Sequence, residues 1–361
     1  MPDNFPIRAV DHVRFICGNA KQTADWYHRV FGFDIAAYNG LETGNQMDAS
    51  YLLTQGDIRF VFTSLLVADH PLAEMSGKHG DFVRDISFEV DDVDEAFNAA
   101  VKRGAKPYKT PETFEDHEGE VRTASIHTYG DVVHTLINRD KFTGLFMPNY
   151  KTIDKKGDPV GVEIVDHCVG NVGWGEMNKW VDWYAKILGF EQIQTFDDKD
   201  ISTEYTALMS KVMQSGNGRV KFPINEPAEG KKRSQVEEYL IFHGGSGVQH
   251  LALHTSDIVK TITLLMERGL QFLKVPQTYY DALTERVGTI DEAIETLAPL
   301  GILVDRDPEG YLLQLFSKPV QDRPTLFFEF IERKGAKSFG KGNFKALFEA
   351  IEREQELRGT L

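Results

Sequence analysis

Residues 10–34 read VDHVRFICGNAKQTADWYHRVFGFD, and residues 165–191 read VDHCVGNVGWGEMNKWVDWYAKILGFE. Each opens on a strand-like run containing VDH, passes through a turn, continues as an amphipathic helix carrying Trp-Tyr, and stops at Gly-Phe. In the second copy Trp180, Trp183, Tyr184, Ile187 and Leu188 recur at helical spacing, and Gly189 suits a left-handed cap. A second pair follows: DISFEVDDVDEAFNAAVKRGAKPY from Asp85 and HLALHTSDIVKTITLLMERGLQFL from His250. Asp85 to Gly104 and His250 to Gly269 span the same interval. Ser256 is the expected N-cap of the last helix, with Ile258, Val259, Ile262, Leu265 and Met266 as its buried stripe. The chain is thus built from internal repeats.

Later strands pair more loosely, SIHTYGDVVHTLINRD (125–140) against VDRDPEGYLLQLFSKP (304–319), with turns at Tyr129-Gly130-Asp131 and Asp307-Pro308-Glu309-Gly310. Strand, helix and several strands, four times over, predict an α+β protein of four βαβββ modules in two open-barrel domains. The expected boundaries are 1–151 for the first domain, TIDKKGDPVG (152–161) for the linker and 162–361 for the second domain. From about Gly335 a glycine-rich loop leads into a helix with Phe344, Leu347, Phe348 and Ile351 on one face.

Forty Lys and Arg against 55 Asp and Glu leave a formal charge of −15, which argues against nucleic-acid or anionic-membrane binding. An anionic substrate would need a local capture site. The two cysteines, Cys17 and Cys168, lie in apolar runs and suggest no disulfide framework. With no leader-like N-terminus and no membrane-length apolar stretch, a cytoplasmic location in a reducing compartment is expected.

GVQHLALHT (247–255) alternates Leu251 and Leu253 with His250, Ala252 and His254. A packed histidine is the ordinary reading, and the repeat tests it. Ile86, Phe88 and Val90 match Leu251, Leu253 and Thr255 on the helix-packed face, whereas Asp85, Ser87 and Glu89 match His250, Ala252 and His254. Both copies direct their other face at something polar or open, the barrel interior. Asp85 could ligate too, or pair with Arg84. His167, copied by His12, lies on another strand, and PTLFFEFIER (324–333) supplies a third. There Glu329 shares a face with Phe327 and Ile331, where a carboxylate is costly unless paired or cation-bound. Glu332, on the opposite face, better suits a solvated edge. Two histidines and one carboxylate form the facial triad of non-heme Fe(II) oxygenases. His254 lies about 13 Å along the strand from His250, at ~3.4 Å per residue, too far to share an ion, so a role behind the ligands or in the structure alone is expected. The first barrel offers no convincing third ligand and is expected to be metal-free, with His12 a relic or a packed histidine.

The second half resembles the 4-hydroxyphenylpyruvate dioxygenase family of the vicinal oxygen chelate superfamily. The resemblance is carried by VDHCVGN, FPINEP, GVQHLAL, LGILVDRD, GYLLQLF, DRPTLFFEFIER and FGKGNFKALFEAIE. It implies Fe(II) held by His167, His250 and Glu329, and catalytic polar residues at Ser210, Asn225, Gln235, Gln249 and Gln314, the last near the 2-oxo acid end. It further implies substrate-binding residues at Phe316, Phe327, Phe339, Asn343 and Phe344. The implied reaction turns 4-hydroxyphenylpyruvate and O2 into homogentisate and CO2 in tyrosine and phenylalanine catabolism, without separate 2-oxoglutarate, and the C-terminal helix would gate the site. Gln249 and His250 face opposite ways in an ideal strand, so both reach the pocket only if the strand twists, bulges or ends there.

The nearest alternative is 4-hydroxymandelate synthase, on the same substrate and metal. An extradiol catechol dioxygenase would use the triad without needing the amide cluster, and a metal-free small-molecule-binding protein of this fold would lack the triad. Partners are therefore the substrate and O2, not nucleic acid or membrane, with a homo-oligomer left open.

Overall fold

In a computed structural model that describes residues 5–197 and 203–361, each repeat folds as a strand, a helix and three further strands in antiparallel succession. The first module comprises β1 (Ile7–Ile16), α1 (Ala20–Phe31), β2 (Asp34–Asn39), β3 (Asp48–Gln55) and β4 (Ile58–Leu65). After α2 (Ala73–His79) come β5 (Phe82–Val90), α3 (Val93–Lys102), β6 (Pro107–Asp116), β7 (Gly119–His127) and β8 (Val133–Asn138). Strand β9 (Lys151–Lys155) then leads to the third module: β10 (Val162–Asn171), α4 (Met177–Leu188), β11 (Glu191–Phe196), β12 (Ala207–Gln214) and β13 (Lys221–Ala228). Helix α5 (Gln235–His243) precedes β14 (Gly247–Thr255) and α6 (Ile258–Glu267). Three short helices, α7 (Gln277–Asp281), α8 (Leu283–Val287) and α9 (Ile294–Leu300), interrupt the last module before β15 (Leu303–Asp307), β16 (Gly310–Phe316) and β17 (Phe327–Lys334). Helix α10 (Phe344–Arg358) follows.

The strands form two sheets of matching topology. One runs β2-β3-β4-β1-β5-β8-β7-β6, with β9 added outside β2, and the other β11-β12-β13-β10-β14-β17-β16-β15. In each, the two module-opening strands pair antiparallel at the centre and each pairs parallel with the last strand of its module. The loose pairing of 125–140 with 304–319 is corrected here: β8 corresponds to β17, since Asp85 faces Val133 as His250 faces Phe327. The excursion α7–α9 displaces the last three strands along the chain and obscures the match.

Helix ends follow the expected chemistry with one shift. Gly32 and Gly189 end α1 and α4 at φ 73° and 65°. The N-cap of α6 is Asp257, not Ser256: its carboxylate accepts from the Lys260 amide at 3.0 Å, where a negative charge also meets the positive helix end.

Helices lie between the backs of the sheets, so one core joins the two halves. Phe31 and Tyr27 of α1 meet Phe328 of β17 at 5.2 and 5.8 Å between ring centroids, and Phe88 meets Phe222 at 6.0 Å. The rear face of β17 is thereby fixed by the other half of the molecule, which steadies whatever its front face carries. Cys17 and Cys168 are buried and unpaired. No helix among the described residues is long and apolar enough to cross a membrane.

Glu332 departs from expectation: it is buried, not solvated, because its carboxylate accepts from the Ile258 amide at 2.8 Å and pairs with Lys334 at 2.8 Å. It satisfies an orphan amide at the start of α6. Glu332→Ala should therefore lower stability by about 1–3 kcal/mol, as a buried donor loses its acceptor. A urea midpoint equal to that of the unmodified protein would contradict this assignment.

Candidate active site

Two β-bulges build the site. On β10, Val165 faces Leu253 and His167 faces Ala252, so Asp166 is the extra residue. On β14, Val169 faces His250 and Gly170 faces Val248, which makes Gln249 the extra residue. A bulge breaks the two-residue alternation, and Gln249 and His250 accordingly both line one cavity. The first sheet has the same bulges at Asp11 and Arg84.

Glu329 on β17 stands between the two histidines. One of its carboxylate oxygens lies 3.1 Å from His167 Nε2 and 3.3 Å from His250 Nε2, and the three ligand atoms fall within 4.8 Å of one another. The other ring nitrogens are occupied: His167 Nδ1 contacts Asp166 at 2.7 Å, and His250 Nδ1 contacts the side-chain Oε1 of Gln249 at 3.0 Å. Those partners select the tautomer that presents Nε2 to a cation. Asp166 is itself gripped by both arms of Arg333, each at 2.8 Å.

Burial disfavours charge on all three groups, and their mutual contacts decide the outcome. Burial would raise the Glu329 carboxyl, but His167 and the hydrogen bonds from both histidines hold it down to about 2. Burial opposes charge on His167, yet Glu329 and then Asp166 raise its pKa above the ordinary value. For His250 burial prevails and the pKa falls. A buried carboxylate facing two imidazoles, with no Lys or Arg among the described cavity residues, fits a divalent cation.

Together with the part open to solvent, the cavity spans about 560 Å3. Ser210, Asn225, Gln235, Gln249 and Gln314 all reach it, as do Phe316, Phe327, Phe339 and Phe344. Ser210 and Asn225 are cross-strand partners on β12 and β13. Buried Gln314 Oε1 accepts no hydrogen bond from the described residues. Gly340, at φ 75°, approaches it so closely that a Cβ would lie 2.0 Å away, so this position requires glycine. Phe327 stacks on His250 at 4.7 Å, and Phe339 meets His167 edge-on at 5.0 Å.

Asn343 is not brought to the cavity wall. It is fully buried with its carbonyl turned to the Tyr279 hydroxyl at 2.7 Å, because it closes the loop onto β15 and α7. Residues missed in the sequence include Leu208 and Val212, which flank Ser210 on its face of β12; Phe348, one turn after Phe344, reads there only as part of a helix face. Period-two and helical spacing around the named residues would have found them. His254 pairs with Glu163 at 3.0 Å, away from the triad.

At the matching position in the first barrel, His12 contacts Asp11 and Ser87, Asp85 accepts from the amide and hydroxyl of Thr135, and Thr135 holds the place of Glu329. Arg84 turns away to the Asp131 carbonyl, so the pairing considered for Asp85 with Arg84 does not form.

The model of the Glyoxalase/Bleomycin resistance protein/Dioxygenase superfamily matches residues 9–133 and 164–315. A 4-hydroxyphenylpyruvate dioxygenase of Coccidioides posadasii (strain C735) is 48% identical over 381 residues, covering 98% of this chain and 94% of the relative. That of Caenorhabditis elegans is 46% identical over 373 residues, covering 100% and 95%. Among solved structures, a triple mutant of 4-hydroxymandelate synthase from Streptomyces coelicolor matches with a TM-score of 0.88 at 30% identity, covering 97% of this chain and 99% of that one. A Mn(II)-bound glyoxalase from Novosphingobium aromaticivorans shares the fold at 10% identity, with a TM-score of 0.50 over 91% and 82% of the two chains. With the duplicated sheets and the buried His-His-Glu group, this similarity along nearly the whole chain makes it a member of the 4-hydroxyphenylpyruvate dioxygenase family, within the vicinal oxygen chelate superfamily.

Proposed function

We propose that the chain is an Fe(II)-dependent dioxygenase that converts 4-hydroxyphenylpyruvate and O2 to homogentisate and CO2 in the cytoplasmic breakdown of tyrosine and phenylalanine. The observation that carries this reading is the cavity: two histidines and a glutamate on one wall, neutral amides and a hydroxyl elsewhere, phenylalanines between, and no lysine or arginine among the described residues. A 2-oxo acid is an anion, and nothing else in this lining neutralises it.

His167, His250 and Glu329 would hold the iron. When bound, Fe(II) supplies the positive charge for the substrate's carboxylate and keto oxygens and the redox chemistry toward O2. Ser210, Asn225 and Gln235 orient the phenol without imposing a charge, Gln249 also fixes the His250 ring, and Gln314 serves the 2-oxo acid end. Phe316, Phe327, Phe339 and Phe344 hold the ring and exclude water. Helix α10, which contributes Phe344, Leu347 and Phe348, covers the site. The first barrel, with threonine in the glutamate's place, acts as a metal-free buttress for β17.

A second reading, 4-hydroxymandelate synthase, is favoured by the structural match to that enzyme. The product separates the two. Homogentisate should dominate, formed with Fe(II) and O2 and without added 2-oxoglutarate, and 4-hydroxymandelate as the main product would overturn the assignment. Phe316→Ile should lower the homogentisate share, since the vacated space removes roughly 1–3 kcal/mol of packing, comparable to a tenfold shift between competing steps. An unchanged product ratio would remove Phe316 from that role.

Fe(II) must displace the proton that Glu329 and Asp166 favour on His167. Because that pKa is raised, iron affinity should fall as pH drops through it, and binding below it should release a proton. Anaerobic calorimetry in buffers of differing ionisation enthalpy measures this, and an affinity unchanged between about pH 5 and 8 would contradict it. Glu329→Ala should abolish loading of one iron per chain, whereas His12→Ala should not.

A further inference from the structure

Arg333 makes contacts that the proposed chemistry does not use. Near the end of β17, its guanidinium donates twice to Asp166, whose carboxylate holds His167 Nδ1. The same group donates to the Ser338 carbonyl at 2.7 Å and the Ala336 carbonyl at 3.3 Å. It also lies over the Phe339 ring, 5.6 Å from the centroid. Those three residues form the root of the segment that runs through Gly340 into α10, and Phe339 is itself part of the cavity wall. One buried cation therefore touches the support of a metal-binding histidine and the main chain of the covering segment.

The first half contains a copy. Arg139, just after β8, donates to both Asp11 oxygens and to the Phe146 carbonyl, and lies 4.7 Å over the Phe146 ring. Asp11 contacts His12 Nδ1, and Phe146 meets His12 edge-on at 5.1 Å. The arrangement of arginine, aspartate, histidine and phenylalanine is thus a general way of closing this barrel. In the first half it ends on a histidine whose Nε2 meets a serine hydroxyl. In the second it ends on a histidine facing Glu329 and on the segment that covers the cavity.

We propose that Arg333 is a positioning residue that couples cation binding at His167 to docking of the covering segment, residues 336–351. This rests on His167 being a metal ligand. When the segment docks, two carbonyls and a ring fix the guanidinium, which fixes Asp166, which fixes the His167 tautomer and ring orientation. When it lifts, the guanidinium loses those acceptors and Asp166 loses a rigid partner. Linkage makes the effect reciprocal: if docking strengthens cation binding, cation binding strengthens docking by the same factor.

The test reads Fe(II) affinity anaerobically, and hydrogen exchange of the amides in 336–351 with and without Fe(II), in the full chain without substrate. In the unmodified protein Fe(II) should slow that exchange. In Arg333→Gln, with the fold verified by circular dichroism, affinity should fall roughly 10–100-fold and exchange should no longer respond to the metal. Arg333→Lys retains a charge beside Asp166 without the fork of donors, and should restore part of the affinity but little of the coupling. Arg139→Gln should lower the unfolding midpoint while leaving Fe(II) affinity within about twofold. Unchanged affinity in Arg333→Gln, a persisting exchange response in it, or an equal affinity loss in Arg139→Gln would each overturn the proposal. Neither measurement involves turnover, so an error in the assigned reaction would leave them unmoved, whereas an unmodified chain that binds no Fe(II) would overturn both readings.

Discussion

A carboxylate buried among phenylalanines is the constraint from which the second barrel is arranged. Glu329 sits on the front of a strand whose neighbours Phe328 and Phe330 are wholly buried against the other half of the chain. Ionised and dry, it would be strongly destabilising alone. Two imidazoles compensate it, and each imidazole is held from behind by a group delivered by a β-bulge. Removing any layer exposes the next to an unpaired charge or an unrestrained ring.

Duplication explains why the molecule is larger than its site requires. Both sheets share strand order and bulge positions, yet Thr135 replaces the carboxylate in one of them. That half retains its supports, Arg139 and Asp11 included, and contributes aromatic rings that anchor the rear of β17. Rigidity is then supplied from outside the barrel that carries the chemistry, an economical way to hold ligand atoms to a fraction of an ångström.

Much of this was legible in the chain because repeats expose function by difference. Comparing His250 with Asp85 and His167 with His12 separated positions that face the interior from those that pack on helices. Local spacing could not reveal what long-range pairing decides. Asp166 and Arg333 lie 167 residues apart and meet only because β10 and β17 flank β14. Glu332 looked solvated because nothing local announces that the start of α6 needs an acceptor there. Asn343 sat in a family motif beside true cavity residues, but its loop turns it toward Tyr279. Gln249 posed a contradiction in an ideal strand, and only the bulge resolves it.

Among the described residues the cavity lining holds no lysine or arginine, which bears on the order of events. Before a cation arrives, the positive charge nearest the cavity is the proton that His167 holds against Glu329, already spent on that carboxylate, which leaves little attraction for an incoming acid. The metal-free cavity should thus bind an organic acid poorly, so that a cation precedes the acid. Such ordering biases the pocket toward acids that chelate the cation over carboxylates that offer only one oxygen contact.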